Sequence, residues 1–153
     1  MLADVLIAVG LVVVTVAMHA AGFSLLLRAM MRARALDRSG FWVVTGFVIA
    51  LTCGLILIHL AEIAVWGLFY LWQGCLPDVE SALYFSGTTY TSAGFGDVVL
   101  PVPWRMLAPL ETLTGILLCG LSGGLFFAFV FRWIGNWMQR RTASEGRSEA
   151  ARR

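Results

Sequence analysis

Apolar residues fill three long stretches of the chain, and the polar positions between them set its organisation. Residues 5–27 are almost wholly apolar, enough at about 1.5 Å per residue to cross a hydrocarbon core of about 30 Å. A secretory leader would begin with basic residues and carry a shorter apolar run; here the chain begins MLAD, so the stretch reads as a retained span. A second span is expected over residues 41–72, ending in WGLFYLW (66–72), residue types that gather at a membrane interface. A third is expected over 104–137. Between the last two, LPDVESALYFSGTTYTSAGFGDVVL opens like a helix over 78–90, with Asp78 placed to cap it and Glu80 near its positive dipole end. That helix is too short to cross a bilayer. A short helix followed by Gly-rich backbone between two spans predicts a re-entrant loop, and such backbone is tolerated at membrane depth only where protein buries it or where it lines a watery path.

Composition agrees: 59% of the 153 residues are hydrophobic and 13% charged, about half the charge of a soluble domain. The formal charge of +2 matters less than its placement. Arg28, Arg32, Arg34 and Arg38 stand against Asp37 alone, which by the positive-inside rule puts segment 28–40 in the cytoplasm and the N-terminus outside. Residues 73–103 hold acids and no base, as an external segment does, and the third span returns to arginines at 132, 140 and 141, so the C-terminus is cytoplasmic. The four arginines are too unevenly spaced for a voltage sensor and read as a topology anchor with lipid headgroup contact. The polar tail 138–153 reads as a frayed helix end or disorder. Cys53, Cys75 and Cys119 offer no disulfide framework or metal-ligand spacing and read as packing residues.

The stretch SALYFSGTTYTSAGFGDVVLPVPWR resembles the pore helix, selectivity filter and outer mouth of the tetrameric potassium channels, whose filter usually reads Thr-Thr-Val-Gly-Tyr-Gly-Asp. The resemblance covers about residues 41–135. It implies that Thr91, Ser92, Ala93, Gly94, Phe95 and Gly96 occupy the six filter positions, with Asp97 as the closing acid and Thr88 as a buttress behind them. The chemistry suits those residue types. A dehydrated potassium ion needs a cage of oxygens, which four loops supply when their backbone carbonyls face one axis. Glycines 94 and 96 permit the backbone angles this demands, and a Thr91 hydroxyl adds one more oxygen.

The departures carry expectations of their own. Ser92 lacks a methyl and Ala93 replaces a β-branched residue, which predicts a less rigid inner filter. Phe95 replaces Tyr, and Phe85 stands where relatives have the Trp that holds that Tyr, so donor and acceptor vanish together and leave an apolar cuff. Tyr84 is a candidate hydrogen-bond partner for Asp97. In the third span, Gly115 stands where the family often has a gating hinge, while Gly120, Gly123 and Gly124 suit close packing of helices. His19 reads as a packing residue with a backbone or hydroxyl partner. His59, Glu62 and Glu111 are ionisable groups inside spans, costly unless partnered, with the hydroxyls of Thr88 and Thr89 within reach. They read first as a brace behind the filter and second as a proton sensor.

The sequence thus describes an all-α membrane protein of three transmembrane helices with a re-entrant pore helix and filter. Residues 1–40 form an accessory span and basic linker, 41–137 the pore unit with its filter at 91–97, and 138–153 a short tail. The expected function is passive, potassium-selective conduction by a homotetramer in the cell membrane, with membrane lipids as the other partners. Potassium ions in the filter are the cargo, held mainly by carbonyls of residues 91–95; no cofactor, nucleic acid, small-molecule substrate or enzyme activity is implied. A non-selective or sodium-permeable channel and a non-conducting subunit of another channel are the alternatives.

Overall fold

The computed structural model describes residues 2–32 and 41–150, all of their regular structure helical. Helix α1 spans Leu2–Arg32, α2 Phe41–Trp72, α3 Val79–Tyr90 and α4 Leu107–Ala150, with one 3-10 turn at Val102–Trp104 ahead of α4. Three stretches are long and apolar enough to cross a membrane: Leu6–Ala29, Thr45–Trp72 and Val102–Gly135. Arg28 and Arg32 are exposed at the end of α1; Arg34 and Arg38 lie outside the described residues. The tail does not fray at residue 138. It continues α4 to Ala150, because TASEGRSEA is rich in good helix formers and extending an existing helix avoids the cost of a new nucleus.

The short helix α3 is where the pattern of side chains decides the fold. Asp78 caps its start, accepting from the Ser81 backbone N–H at 2.8 Å and from the Ser81 hydroxyl at 3.0 Å. Its buried residues are Ala82, Phe85, Ser86, Thr89 and Tyr90, spaced at three and four, which is one face of an α-helix. That face lies in the angle between α2 and α4. An apolar cluster of Trp66, Tyr70, Leu76, Ala82, Phe85 and Leu107 seats it, with Ala8 of α1 joining the cluster. A second cluster, Phe23, Leu51 and Leu55 with Phe47, Phe126 and Phe129 around them, joins α1, α2 and α4.

The aromatic run at the end of α2 is only partly an interfacial belt. Trp66 and Tyr70 are fully buried, and the Trp66 indole N–H donates to Thr15 Oγ1 at 3.0 Å. Trp72, 80% exposed, keeps the expected place. Residues at 66 and 70 are four apart and share the face of α2 that meets α1 and α3, so packing claims them.

Gly115 lies inside the unbroken run of α4, and its reason for being glycine is contact: a Cβ there would overlap the carbonyl oxygen of Tyr90, the last residue of α3. The small-residue packing expected at Gly120, Gly123 and Gly124 is not made within this chain, since a Cβ at any of them meets nothing within 4 Å among the described residues. The two kinds of glycine should respond oppositely to alanine. Gly115→Ala is expected to destabilise the protein by about 1–3 kcal/mol through overpacking, whereas Gly120→Ala, in open space, should gain about 0.8–1 kcal/mol of helix propensity. Thermal unfolding of the two variants in detergent reads the difference, and equal midpoints would remove the close contact at 115.

Candidate functional site

The loop after α3 begins by consuming that helix's terminal carbonyls. The backbone N–H of Thr91 donates to Gly87 O at 3.1 Å, that of Ser92 to Thr89 O at 3.0 Å and that of Gly94 to Thr88 O at 3.0 Å. Thr112 of α4 adds its hydroxyl to Thr89 O at 3.0 Å. The expected buttress Thr88 turns its own hydroxyl back onto Tyr84 O and Phe85 O, both at 3.0 Å. Beyond this knot the backbone alternates in hand: φ is +58° at Ser92, +45° at Gly94 and +78° at Gly96. An extended strand points successive carbonyls to opposite sides, and a left-handed residue at every second position cancels that reversal. Residues 91–97 are all exposed.

Ser92 gains a reason from its φ. A β-branched residue strongly resists that region, so serine, which keeps the hydroxyl without the branch, is the better occupant here. The hydroxyls at the inner end bond locally, Ser92 to Thr91 O at 2.6 Å and Thr91 to Gly87 O at 2.7 Å. Donating in this way leaves each oxygen its lone pairs for a cation. Phe95 is 72% exposed, whereas Phe85 is buried edge-on against Tyr70 at 5.3 Å between ring centres, so the two phenylalanines form no cuff within one chain. Tyr84 does meet Asp97, its hydroxyl donating to Oδ2 at 2.8 Å. That bond holds the Asp97 carboxyl below the usual carboxylate range and pushes the Tyr84 phenol up.

His59, Glu62 and Glu111 do not form one network. Two clusters stand behind the loop, and the hydroxyls of Thr88 and Thr89 are not among the partners of Glu62 or Glu111. In the first, Glu62 is fully buried and is met by His19 Nδ1 at 2.8 Å, His59 Nδ1 at 3.1 Å and the hydroxyl of Tyr90. Ser122 of α4 closes that group against both imidazoles. His19 therefore has a carboxylate partner besides the hydroxyl expected for it. In the second cluster, fully buried Glu111 accepts from Tyr70 at 2.7 Å and lies 2.5 Å from Ser86 Oγ, which also bonds Ile63 O at 2.8 Å. One Ser86 proton cannot serve both neighbours fully. A protonated Glu111 gives each contact its own proton.

Tyr70, Ser86, Tyr90 and Ser122 are the functional candidates that sequence reasoning missed. Ser86 and Tyr90 were traceable, because they fall on the stripe of α3 at positions 82, 85, 86, 89 and 90. His19 carried the signal of any ionisable residue inside a span. Ser122 carried none, since nothing near it in the chain points to residues 19 and 59.

Two substitutions probe these assignments. With Glu111 neutral, Glu111→Gln should keep the thermal midpoint close to the parent's, its amide replacing the carboxyl. Glu111→Ala, which strands the Tyr70 hydroxyl while Ser86 still donates to Ile63 O, should lose about 1–3 kcal/mol. A Gln variant as unstable as the Ala variant would mean an ionised Glu111. At the loop, Asp97 is charged above its lowered pKa, and the link to Tyr84 is lost as pH falls through that value. Tyr84→Phe should therefore raise the pH at which Asp97 protonates, as read by carbon-13 NMR of its carboxyl, and an unmoved titration would show that the bond is not made in solution.

The Ion channel family (Ion_trans_2) matches residues 41–140, which take in α2, α3, the loop and most of α4. No curated protein and no solved structure matches the chain. The family's role is passive conduction of ions, transport and not catalysis. With that match over well more than half of 153 residues, in an all-helical chain with three candidate spans, the protein belongs to the ion channel family of the two-span, potassium-channel-type pore.

Proposed function

We propose that four copies of this chain assemble around their 91–97 loops into a potassium-selective channel, with the N-terminus outside the cell and the C-terminus in the cytoplasm. The observation that carries this reading is the alternation of backbone hand at Ser92, Gly94 and Gly96 in a loop left wholly exposed by its own chain. Carbonyls brought to one side of a strand form a row of oxygens. One row cannot enclose a cation, and four related by a central axis can. Exposed backbone between two membrane spans also needs protein or a watery path beside it, and three further copies around a pore supply both. The ion would exchange its hydration shell for carbonyls of residues 91–95, with Thr91 Oγ1 adding an oxygen at the inner end. The C-terminal end of α3 adds its negative dipole.

A second reading has its own observation. Ser92 and Ala93 place small side chains at the inner end of the loop, where bulkier residues would stiffen the cage, and a softer cage suits a channel that also passes sodium. Purified protein in liposomes separates the readings: potassium flux well above sodium flux is expected, equal fluxes favour the non-selective channel, and no flux favours a non-conducting subunit. Gly96→Ala should abolish selective flux while the three spans still insert, because at φ +78° each copy would carry about 1–2 kcal/mol of left-handed strain. Parent-like selectivity in that variant would place the pathway elsewhere.

A further inference from the structure

A second site lies within the helix bundle, and it recruits α1, the helix outside the family match. Its members come from all four helices: His19 of α1, His59 and Glu62 of α2, Tyr90 ending α3 and Ser122 of α4. The group is polarised. Both Nδ1 atoms face Glu62, His19 at 2.8 Å from Oε1 and His59 at 3.1 Å from Oε2, and the Tyr90 hydroxyl meets Oε2 and stands 2.9 Å from His59 Nδ1. Both Nε2 atoms face one hydroxyl, Ser122 Oγ, at 3.1 Å for His59 and 3.3 Å for His19.

Proton counting shows which arrangements this polarity allows. With Glu62 ionised, two neutral imidazoles, one phenol and one serine hydroxyl bring one proton each. If both imidazoles carry theirs on Nδ1, two bare Nε2 atoms compete for the single Ser122 proton. If His59 carries its proton on Nε2, it donates to Ser122, Ser122 donates to His19 Nε2, His19 Nδ1–H donates to Glu62 Oε1 and the Tyr90 hydroxyl donates to the bare His59 Nδ1, which draws the Tyr90 proton away from Glu62 Oε2. A cation on the Nδ1 side gives the other arrangement: each Nε2–H then donates to Ser122 Oγ, whose two lone pairs accept both, and each Nδ1 lone pair points at the cation together with both Glu62 oxygens.

We infer that His19, His59, Glu62 and Tyr90 form a binding site for one divalent transition-metal ion of the zinc class, which fastens α1 to the pore unit. Ligand atoms of His19, His59 and Glu62 all lie within 4.8 Å of one another. Ligands about 2.0–2.1 Å from a tetrahedral zinc stand roughly 3.3 Å apart, so the observed separations need only modest adjustment. Imidazoles with oxygen donors suit zinc, cobalt, nickel or copper rather than magnesium or calcium. Binding would release the Tyr90 phenol proton to solvent, and the resulting phenolate and the Glu62 carboxylate would balance the ion's two charges in an apolar interior. Ser122 supplies the outer hydrogen bonds that orient both rings. Of the carboxylate and the imidazole that face each other on α2, His59 keeps 16% of its side chain exposed while Glu62 is fully buried.

The site stands independently of the filter reading and is tested without flux. Full-length protein purified without metal is mixed with Zn²⁺, desalted, and its zinc per chain counted by elemental mass spectrometry; a parallel sample takes Co²⁺ for its visible spectrum. One zinc per chain and tetrahedral cobalt bands are expected for the parent, with both lost in His19→Ala and Glu62→Gln. Ser122→Ala, which keeps every ligand, should weaken zinc binding about 10-fold or more. Affinity should fall as pH falls, since protons compete for both Nδ1 atoms. A well-folded parent that retains no zinc and shows no cobalt bands overturns the site, as does zinc retained equally by the parent and the ligand variants. Either result leaves the cluster as a metal-free hydrogen-bonded network among His19, His59, Glu62, Tyr90 and Ser122.

Discussion

A helix that stops within an apolar chain leaves its last carbonyls needing donors, and the structure is arranged around that need at the end of α3. The donors are the N–H groups of Thr91, Ser92 and Gly94 and the hydroxyl of Thr112. The first three come from the loop itself, so tying off the helix also bends the chain into the turn from which the alternating backbone departs. Tyr90 ends the helix with its carbonyl against Gly115 of α4 and its hydroxyl in the Glu62 cluster. Loop geometry, helix spacing and the Glu62 cluster thus meet at one residue. Widening the gap between α3 and α4 would disturb all three.

The two buried carboxylates solve the same problem in different ways. Among the described residues, Glu111 has only the hydroxyls of Tyr70 and Ser86 as partners and no cation beside it, so the neutral acid is the cheaper form in an apolar setting. Glu62 has two imidazoles, which can carry positive charge or hold a metal, so an ionised carboxylate there is compensated. Glu111 braces the buried face of α3 through Ser86, while Glu62 gathers all four helices. The loop therefore rests on supports of different electrostatic character.

Much of the fold was legible because membrane chains write their spans plainly: a run of about 20 apolar residues has few alternatives to a helix. The cap at Asp78 and the end of α3 near Tyr90 were legible too, from local chemistry. Side-chain partnerships were not. His59 and Glu62 are three apart on one helix and visibly neighbours, but Glu111 shares with them only its place inside a span, and that does not say which face of a helix a residue occupies. Trp66 and Tyr70 were read from their type as interfacial, whereas their spacing of four placed them on a packed face. The positive φ of Ser92 was illegible for another reason: a non-glycine residue in that region is uncommon, and only the hydrogen bonds on either side of it impose it.

The place of α1 follows from what it contributes. Its side chains to the pore unit include two polar ones at different levels, Thr15 accepting from Trp66 and His19 facing Glu62, with Ala8 and Phe23 in the two apolar clusters. Apolar contact alone would hold a membrane helix loosely, since lipid offers nearly the same surface. The polar contacts make one register of α1 against α2 distinct from its neighbours, because a shift along the axis strands Glu62 and the Trp66 indole together. A helix held in one register beside Tyr90 is a fixed wall behind the loop. Whatever occupies the His19, His59 and Glu62 centre sets how firmly that wall is attached, which links the helix outside the family's pore unit to the residue on which the loop is built.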